Sequence, residues 1–298
     1  MKTNKWFFIV NSTAGRGKTG KKINSLLKFL NEQNFNYEIE LTKAPLHAVE
    51  LTEQAISNGF KNIVAVGGDG TVNEVVNGIM KSGNPEKINF GIIPEGGGND
   101  FAHHFHLSHK IRKAVKILKK QKTVKVDVGK IEDFFFINAF GIGFDAEVAR
   151  YSRRIFLLNG LLRYLPAVLK SLVFLKTYPL EISLKNTKLK SEYLLITIGN
   201  SRFCGSGFQL TPNAVADDGL FDVCLIEKVN RRRILKLLPS ALKGKHLAEP
   251  EVTVFRSNII EIKSDRKLPV YFDGELPNLK NENYLKIELI PKKINLIC

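Results

Sequence analysis

The chain has 298 residues, of which 44% are hydrophobic and 25% charged, the composition of an ordinary globular protein. This length favours two domains over a single core, and the composition argues against a disordered chain, a collagen or a disulfide-stapled miniature scaffold. The formal net charge of +16 predicts a polyanionic partner, either nucleic acid or anionic lipid. The three cysteines form no CxxC pair, which favours reduced thiols and a cytoplasmic protein.

No segment of the sequence is predicted to cross a membrane. The most apolar region, residues 155–175, is interrupted by a glycine, a proline and charged residues, so it lacks the roughly 20 consecutive apolar residues of a spanning helix. The apolar run 5–10 is short and is not followed by a cleavage region, so no secretory signal is expected. We therefore predict a chain that is soluble or lies on a membrane without crossing it.

The N-terminal part alternates short apolar runs of strand length with helix-length segments. Strands are predicted at 5–10, 36–41, 62–66 and 89–93, and helices at 18–34, 46–58, 71–82 and about 111–120. This alternation predicts a parallel sheet with crossover helices.

Strands dominate the sequence after residue 122, linked by Gly, Asn and Pro turns, which predicts a mainly antiparallel second domain. Its strands are predicted at 123–129, 133–140, 178–185, 191–199, 219–226, 251–262 and 268–272, and helical regions at about 145–175 and 231–243. We divide the chain into domains 1–122 and 123–284. The C-terminal segment 285–298 contains a further strand that can pair with either domain.

The strongest motif is a double-glycine turn between a buried strand and a helix, Gly67-Gly68-Asp69-Gly70. Such a turn lets backbone N–H groups and a helix N-terminus face an anion without Cβ obstruction, which is typical of phosphate binding. A bare phosphate would repel Asp69, so this residue suits a divalent cation or a sugar hydroxyl. The alternative is a tight turn in which Asp69 only caps the helix.

Two further loops repeat this pattern of strand, glycine turn and helix. They are residues 94–102, with Gly96-Gly97-Gly98-Asn99-Asp100, and residues 11–17, with Asn11 and Gly15. Loops at the ends of neighbouring strands form one crevice, where open α/β sheets bind ligands. Neither the dinucleotide fingerprint nor the Walker A loop is present, so a different nucleotide site is expected. The loop 11–17 is followed by Lys18, Lys21 and Lys22. We interpret these lysines as a solvated basic face in preference to phosphate ligands.

The second domain offers two candidate sites. Residues 211–222 place three carboxylates in a turn, which predicts either a site for a hard cation or a plain aspartate-rich hairpin turn. Farther on, Asp273-Gly274-Glu275 ends a strand and exposes Glu275 at the tip of a turn. An exposed glutamate is usually only solvated, but one that faces a phosphate site can accept a proton from an attacking hydroxyl.

In their order along the chain, these segments resemble the diacylglycerol kinase catalytic-domain family, in particular its small soluble bacterial lipid kinases. The likeness extends from about residue 5 to 290. It implies a fold related to NAD kinase and phosphofructokinase, with an N-terminal parallel α/β nucleotide-binding domain, a C-terminal antiparallel β-sandwich domain and an active site between them.

The resemblance also implies ATP and Mg²⁺ as cofactors. Asp69 and Asp100 would organise the nucleotide and a catalytic magnesium ion, and Glu275 would accept the proton of a lipid hydroxyl. A structural magnesium ion would bind the Asp218 carboxylate and the backbone carbonyls of Val215 and Leu220. The residues implied to contact ATP are Asn11, Ser12, Thr13, Ala14, Gly15, Thr42, Gly67, Gly68, Asp69, Gly70, Thr71, Val72, Asn73 and Gly97.

Two positions depart from the family's frequent motifs. Ser12 stands where a proline is frequent, and Gly97 stands where a threonine is frequent. Gly97 therefore offers a phosphate only its backbone amide. We expect these departures to lower the affinity for ATP or to accompany a different lipid acceptor.

A lipid kinase without a spanning helix must reach its substrate from the water side. Residues 153–176 have the composition of a helix at an anionic interface, or of a core helix pair that covers the sandwich. Their cationic residues are Arg153, Arg154, Arg163, Lys170 and Lys176. A second basic segment, 231–245, is interpreted as a solvated helix that adds electrostatic attraction.

The sequence thus predicts an ATP- and Mg²⁺-dependent kinase that phosphorylates a lipid hydroxyl at the cytoplasmic face of a membrane. Diacylglycerol is the preferred candidate for this lipid. Alternatives are a kinase of another lipid alcohol or of a soluble substrate such as NAD. A nucleic-acid-binding protein is disfavoured because the basic residues are scattered and no RNA-recognition motif is present. The sequence leaves the oligomeric state open, a homodimer included.

Overall fold

Strands and helices alternate in the N-terminal part of the chain, and antiparallel strands predominate after it. The computed structural model describes residues 5–153, 155, 161–185 and 187–298. These residues divide into two units, the first made of the chain up to Val128 together with Pro291–Cys298, and the second made of Gly129–Ile290. The division runs through a strand that starts just after the predicted boundary at residue 122.

The first unit contains the predicted parallel sheet and its crossover helices. Its strands are β1 (Trp6–Val10), β2 (Tyr37–Leu41), β3 (Asn62–Gly67), β4 (Asn89–Pro94) and the start of β5 (Thr123–Ile131). Its helices are α1 (Lys18–Lys21), α2 (Ile23–Glu32), α3 (His47–Ser57), α4 (Asp69–Lys81), α5 (Asp100–His104) and α6 (Ile111–Lys120), and a 3₁₀ turn spans Pro85–Lys87.

The second unit contains the remaining elements. Its strands are β6 (Phe134–Phe136), β7 (Ala139–Gly143), β8 (Tyr178–Leu184), β9 (Thr187–Gly199), β10 (Phe221–Glu227), β11 (Val252–Ser257), β12 (Ile259–Lys263), β13 (Val270–Phe272) and β14 (Tyr284–Ile297), the last of which ends in the first unit. Its helices are α7 (Phe144–Ser152), α8 (Leu161–Val173) and α9 (Arg231–Ala241), with a 3₁₀ turn at Lys245–Ala248.

The sheet of the first unit has the order β2-β1-β3-β4-β14, and all of these neighbours pair in parallel. Every residue of β1 and β3 is buried, as expected for parallel strands with helices on both faces. The carboxyl ends of β1, β3 and β4 therefore lead into the three glycine loops. The last residues of β14 complete the sheet, where Leu296 pairs with Phe90 of β4.

The strands of the second unit form a sandwich because the long strand β9 takes part in two layers. Its first half pairs with β8, and its second half lies between β7 and β10. All of these pairs are antiparallel. Aromatic rings fill the core, where Phe136 stacks on Phe221 with ring centroids 5.6 Å apart.

Four predicted elements are each divided in the structure. The predicted helix 18–34 is α1 and α2, which are separated at Lys22. The predicted strand 251–262 is two strands with different partners, because β11 pairs with β10 whereas β12 pairs with β8 and β14. The predicted strand 133–140 is likewise β6 and β7, and the helical region 145–175 is α7 and α8. In each of the last three cases a long apolar pattern hides the point at which the chain changes partner.

Most basic residues of the segment 231–245 are exposed, as a solvated helix requires, and two of its arginines also have specific partners. The guanidinium of Arg231 donates to the carbonyl oxygens of Leu172, at 2.7 Å, and Val173, at 3.3 Å, and so caps the C-terminus of α8. Arg233 forms an ion pair with Glu251, with 2.6 Å between Nε and Oε1. These residues hold elements of the second unit together. Among the described residues, no helix is both long and apolar enough to cross a membrane.

Candidate functional site

Two of the glycine loops in the first unit approach each other so closely that side chains are excluded. A Cβ atom on Gly68 would lie 3.0 Å from the Cα atom of Gly96, and one on Gly96 would lie 2.4 Å from the Cα atom of Gly68. A Cβ on Gly67 would lie 2.5 Å from the Thr71 hydroxyl. The glycines are therefore required for packing of the loops, in addition to leaving backbone N–H groups uncovered.

Asp69 joins the same two loops through its side chain. Its Oδ2 atom accepts a hydrogen bond of 2.7 Å from the backbone N–H of Asn99, and its Oδ1 atom accepts one of 3.4 Å from that of Phe101. Loss of solvent around the carboxyl raises the pKa of Asp69, and these amide bonds partly offset the increase. Asp69 therefore fixes the start of α5, which carries the buried Asp100.

The third loop reaches the other two through Asn11 and Gly15. The Oδ1 atom of Asn11 accepts bonds from the backbone N–H groups of Thr13, at 3.1 Å, and Ala14, at 3.2 Å, while its Nδ2 atom donates to the Thr71 hydroxyl at 3.1 Å. Gly15 has a φ of +57°, and a Cβ atom on it would lie 2.6 Å from the carbonyl oxygen of Glu95. All three loops thus meet within the first unit.

The remaining residues predicted to contact ATP differ in what they offer a ligand. Thr13 and Gly97 are exposed, and Thr42 is half-buried directly after β2. The side chains of Val72 and Asn73 are buried on α4, and the backbone N–H of Val72 donates to the carbonyl of Gly68 at 3.0 Å. That N–H is therefore committed to the helix, so a contact with ATP at Val72 would require another group.

An ion pair beside these loops was not anticipated from the sequence. The Nζ atom of Lys22 lies 2.5 Å from Oε2 of Glu95, whose side chain is buried. Lys22 is itself exposed, in agreement with a solvated basic face, and it carries this ion pair in addition. Oε1 of Glu95 has no hydrogen-bond partner among the described residues. The loop 94–102 therefore retains one carboxylate oxygen that can accept a hydrogen bond.

In the second unit, the turn after β13 is anchored by the buried residue Asp273. Its carboxylate accepts hydrogen bonds from three consecutive backbone N–H groups, those of Ile137 at 2.8 Å, Asn138 at 2.9 Å and Ala139 at 3.1 Å. Asp273 and Gly274 have φ values of +48° and +84°, which match an Asp-Gly type I′ turn. The turn is thereby held rigidly.

This turn presents Glu275, which forms an ion pair with Arg153 just after α7. The Glu275 side chain is 39% exposed, so both solvent and a ligand can reach it. The structure thus places the predicted proton acceptor on a rigid turn, where its one charged partner among the described residues is Arg153.

Comparison with known proteins agrees with these features. Residues 5–131 match the diacylglycerol kinase catalytic domain, and residues 138–298 match the YegS C-terminal NAD kinase beta sandwich-like domain. A diacylglycerol kinase of Staphylococcus haemolyticus is 30% identical over 94% of this chain and 84% of its own length, and one of Staphylococcus carnosus is 28% identical over 94% and 91%. This chain belongs to the diacylglycerol kinase family.

A solved structure shows the same fold as this member of the family. The crystal structure of a diacylglycerol kinase from Bacillus anthracis superposes with a TM-score of 0.80, at 24% identity, over 100% of this chain and 98% of that one. The predicted fold class, an α/β domain followed by a β-sandwich, is therefore confirmed. Membership of a kinase family also implies ATP and a divalent metal ion as cofactors.

The aspartate-rich turn of the second unit fits a structural metal ion only in part. One carboxylate oxygen of Asp218 accepts the backbone N–H of Leu220 at 3.0 Å, and the other is paired with Arg256. Arg256 also lies 3.2 Å from Asp222. A cation at Asp218 would have to displace this guanidinium. The described residues contain no cluster of three His, Cys, Asp or Glu side chains that could hold a metal ion.

The second unit also contains an apolar pocket that the sequence did not reveal. Its cavity volume is about 80 Å³, and it lies between α7, α8, α9 and strand β9. Its walls are almost entirely hydrocarbon, contributed by residues such as Phe144, Val168 and Leu238. The side chains that form it lie at distant positions in the chain, so no local motif marks it.

One carboxyl group lines this pocket. Asp145 accepts hydrogen bonds from the Thr197 hydroxyl at 3.0 Å and from the Ala146 backbone N–H at 2.8 Å. Loss of solvent raises the pKa of Asp145 to about 8, because the apolar surroundings disfavour its charge. Near pH 7 Asp145 is therefore mainly an uncharged acid, and the pocket suits an uncharged apolar ligand.

Proposed function

We propose that this protein is an ATP- and Mg²⁺-dependent lipid kinase that transfers the γ-phosphate to the hydroxyl of diacylglycerol and produces phosphatidic acid. The observation that carries the choice of a lipid is the apolar pocket in the second unit. Its walls are almost entirely hydrocarbon, which suits part of an acyl chain. NAD, which is charged and polar, would find few hydrogen-bond partners there.

The nucleotide part of the proposal rests on the three glycine loops of the first unit. Their close packing fixes the backbone at the ends of β1, β3 and β4, so phosphate groups can be bound by N–H groups that need no rearrangement. Asp69 holds two of the loops in register, and Asp100 follows in the first turn of α5. We assign Asp69 and Asp100 to the site that holds Mg²⁺, which would neutralise charge on the phosphates.

Glu275 acts as the general base in this proposal. The acceptor hydroxyl oxygen forms a bond to the γ-phosphorus as the bond to the bridging oxygen of ADP breaks, and the hydroxyl proton passes to the Glu275 carboxylate. Asp273 positions the base, because its three backbone hydrogen bonds hold the turn. The chemistry requires mainly orientation and charge neutralisation, which fixed loops and a fixed turn can provide.

The aspartate-rich turn of the second unit is the place for a second, structural metal ion. The Asp218 carboxylate, with the carbonyls of Val215 and Leu220, is our candidate for a structural magnesium ion. Arg256 already supplies a positive charge at this position, so a metal ion there would stabilise the turn by replacing one cation with another. Binding of this ion should therefore be weak in the wild type and stronger when Arg256 is replaced.

Helix α8 supports contact with a membrane surface. One of its faces is buried through Ala167, Val168 and Leu172. The opposite face exposes four apolar residues at helical spacing, with 50% to 66% of each side chain accessible: Leu162, Leu165, Leu169 and Val173. An apolar face without protein cover suits the interfacial region of a membrane, which lipid phosphorylation requires the protein to reach.

Three cations of the predicted interfacial segment lie within the described residues, and one of them, Arg153, forms the ion pair with Glu275. Lys170 on α8 lies over the ring of Tyr151, 4.8 Å from its centroid, and Lys176 is exposed after the helix. Arg154 and the side chain of Arg163 lie outside the described residues. The proposal therefore places this protein on the cytoplasmic face of an anionic membrane, attached without a spanning helix.

A substrate competition tests the proposed function. Purified protein is incubated with γ-labelled ATP and Mg²⁺, either with diacylglycerol in mixed micelles or with NAD and no lipid. We expect labelled phosphatidic acid in the first reaction and no labelled NADP in the second. Formation of NADP without formation of phosphatidic acid would overturn the proposal in favour of a soluble-substrate kinase.

A further inference from the structure

A second, polar groove in the second unit lies apart from the apolar pocket. It encloses about 1090 Å³ including its open mouth. Its walls come from α7, from the segment after α8, from the loop before β13 and from the segment after Glu275. Its charged residues are Glu147, Arg150, Lys176, Arg266, Lys267 and Glu282.

The charges in this groove do not cancel. Arg150 is paired with Glu147 at 2.5 Å, and Lys267 is paired with Glu282 at 2.5 Å. Both acidic residues are thereby neutralised. Lys176 and Arg266 are exposed, and neither forms an ion pair with any carboxylate in the described part of the chain. The groove therefore presents two uncompensated cations, which attract an anion.

The groove also offers a neutral hydrogen-bond donor. Tyr178 is largely buried at its wall, and burial together with the nearby Glu147 carboxylate raises the pKa of its phenol to about 12. The hydroxyl therefore remains protonated at physiological pH. A protonated hydroxyl and two cations that line the same groove are a donor set that suits phosphate oxygens.

Apolar residues stand directly beside the groove. Helix α8 ends at Val173, and Phe174 follows it; the two side chains are 65% and 60% exposed. Lys176, which lines the groove, comes two residues after Phe174. A membrane-bound anion requires this arrangement, because apolar side chains enter the acyl region while cations remain at the level of the phosphates. A soluble anion would gain nothing from exposed Val173 and Phe174.

We propose that this groove binds the phosphate headgroup of an anionic membrane phospholipid that is not the substrate, with Lys176 and Arg266 as its ligands. The bound headgroup would hold the second unit on the membrane with the exposed face of α8 in contact with lipid. This site shares no lining residue with the apolar pocket. It does not require that the protein phosphorylates a lipid.

The test measures binding to vesicles without ATP, so its result is independent of kinase activity. The full-length protein is sedimented with vesicles of equal parts phosphatidylcholine and phosphatidylglycerol. The groove variant carries Lys176→Gln and Arg266→Gln. The control variant carries Lys185→Gln and Lys188→Gln, which remove the same charge from exposed positions of the same unit that do not line the groove. Thermal unfolding checks that both variants fold.

We expect the groove variant to bind about tenfold more weakly than the wild type and the control variant to change less than twofold. Equal weakening of both variants would overturn the proposal, because attraction would then depend on total charge alone. Unchanged binding of the groove variant would overturn it as well.

Competition with soluble anions identifies the source of the phosphate. We expect neither inorganic phosphate nor a short RNA, at matched phosphate concentration, to release the wild type from the vesicles. Release by inorganic phosphate that the groove variant does not show would overturn the lipid assignment in favour of a soluble phosphate. Release by RNA would overturn it in favour of a nucleic acid.

Discussion

The carboxylate of Asp273 and the backbone N–H of Asn138 are joined by a hydrogen bond of 2.9 Å, although 135 positions separate them in the sequence. The same carboxylate binds the N–H groups of Ile137 and Ala139. Three consecutive backbone amides at the junction of β6 and β7 therefore share one side-chain acceptor. Through it, the position of Glu275 is tied to the core of the second unit.

Asp273→Ala should destabilise the protein by about 2–4 kcal/mol, because several buried amides would lose a charged acceptor. Asp273→Asn keeps one oxygen acceptor and should lose less. Urea unfolding of both variants checks this order. If Asp273→Ala unfolded at the wild-type midpoint, these hydrogen bonds would not hold the turn.

Gly96→Ala should impair nucleotide binding, because the added Cβ would lie 2.4 Å from the Cα atom of Gly68 and force the two loops apart. Overpacking of this kind costs about 1–3 kcal/mol of stability. Gly83→Ala is the control. Alanine there is destabilising because the φ of Gly83 is +79°, but the added Cβ would meet nothing within 4 Å. Both variants should lose stability, and only Gly96→Ala should weaken ATP binding in calorimetry. Equal ATP affinity in both variants would contradict the assignment of these loops.

Asp145→Asn should change how stability depends on pH. The pKa of Asp145 is raised to about 8 in the folded protein, so the folded state binds its proton more tightly than the unfolded state does. The free energy of unfolding that this group contributes is therefore full below about pH 4 and falls as the pH rises toward 8. Asparagine does not titrate, so the variant does not lose this part of its unfolding free energy as the pH rises.

The difference in unfolding free energy, variant minus wild type, should consequently rise by about 2 kcal/mol between pH 6 and pH 8. Chemical denaturation at both pH values measures it. Any constant effect of the substitution on the Thr197 bond cancels in this comparison. If the unfolding free energies of the two proteins changed equally with pH, Asp145 would be ionised in the folded state and its pKa would not be raised.

Leu238→Gln should weaken use of the lipid substrate, because Leu238 lines the apolar pocket. Loss of apolar contact with an acyl chain is worth about 1–3 kcal/mol, so KM for diacylglycerol should rise about tenfold while KM for ATP stays unchanged. Leu235→Gln is the control, since Leu235 lies on the same helix α9 with 47% exposure and does not line the pocket. An equal change in both variants would remove the pocket from the substrate site.

Sequence patterns predicted elements whose character is local. The strands β1 and β3 are continuous apolar runs, and the glycine loops that follow them are visible as motifs, so the nucleotide-binding fold was accessible without a structure. Partners that are distant in sequence were not accessible. No local pattern shows that β11 and β12 change partners at Ser257, or that Arg231 caps α8.

The candidate site shows the same limit. Asp69, Asp100 and Glu275 were identified because each lies in a motif, whereas Asp273 belonged to the same Asp-Gly-Glu motif and received no role. Its role depends on amides at the start of the neighbouring strand β7, more than 130 positions away in the sequence, which no local pattern places nearby. The apolar pocket is not visible in the sequence because its walls come from three helices, three strands and the loop 204–210, and any apolar side chain can build them.

The most direct test of the account compares two variants that break the same ion pair. Glu275→Gln removes the proposed base, whereas Arg153→Gln removes only its partner. The pair is about two-fifths exposed, so either change should cost less than about 1 kcal/mol of stability. The measurement is transfer of labelled γ-phosphate from ATP to diacylglycerol in anionic mixed micelles with Mg²⁺.

The account predicts that the wild type labels phosphatidic acid, that Glu275→Gln loses about 10²-fold or more of this rate, and that Arg153→Gln stays within about tenfold of the wild type. Full activity of folded Glu275→Gln would contradict the account, because the hydroxyl proton would then pass to another group.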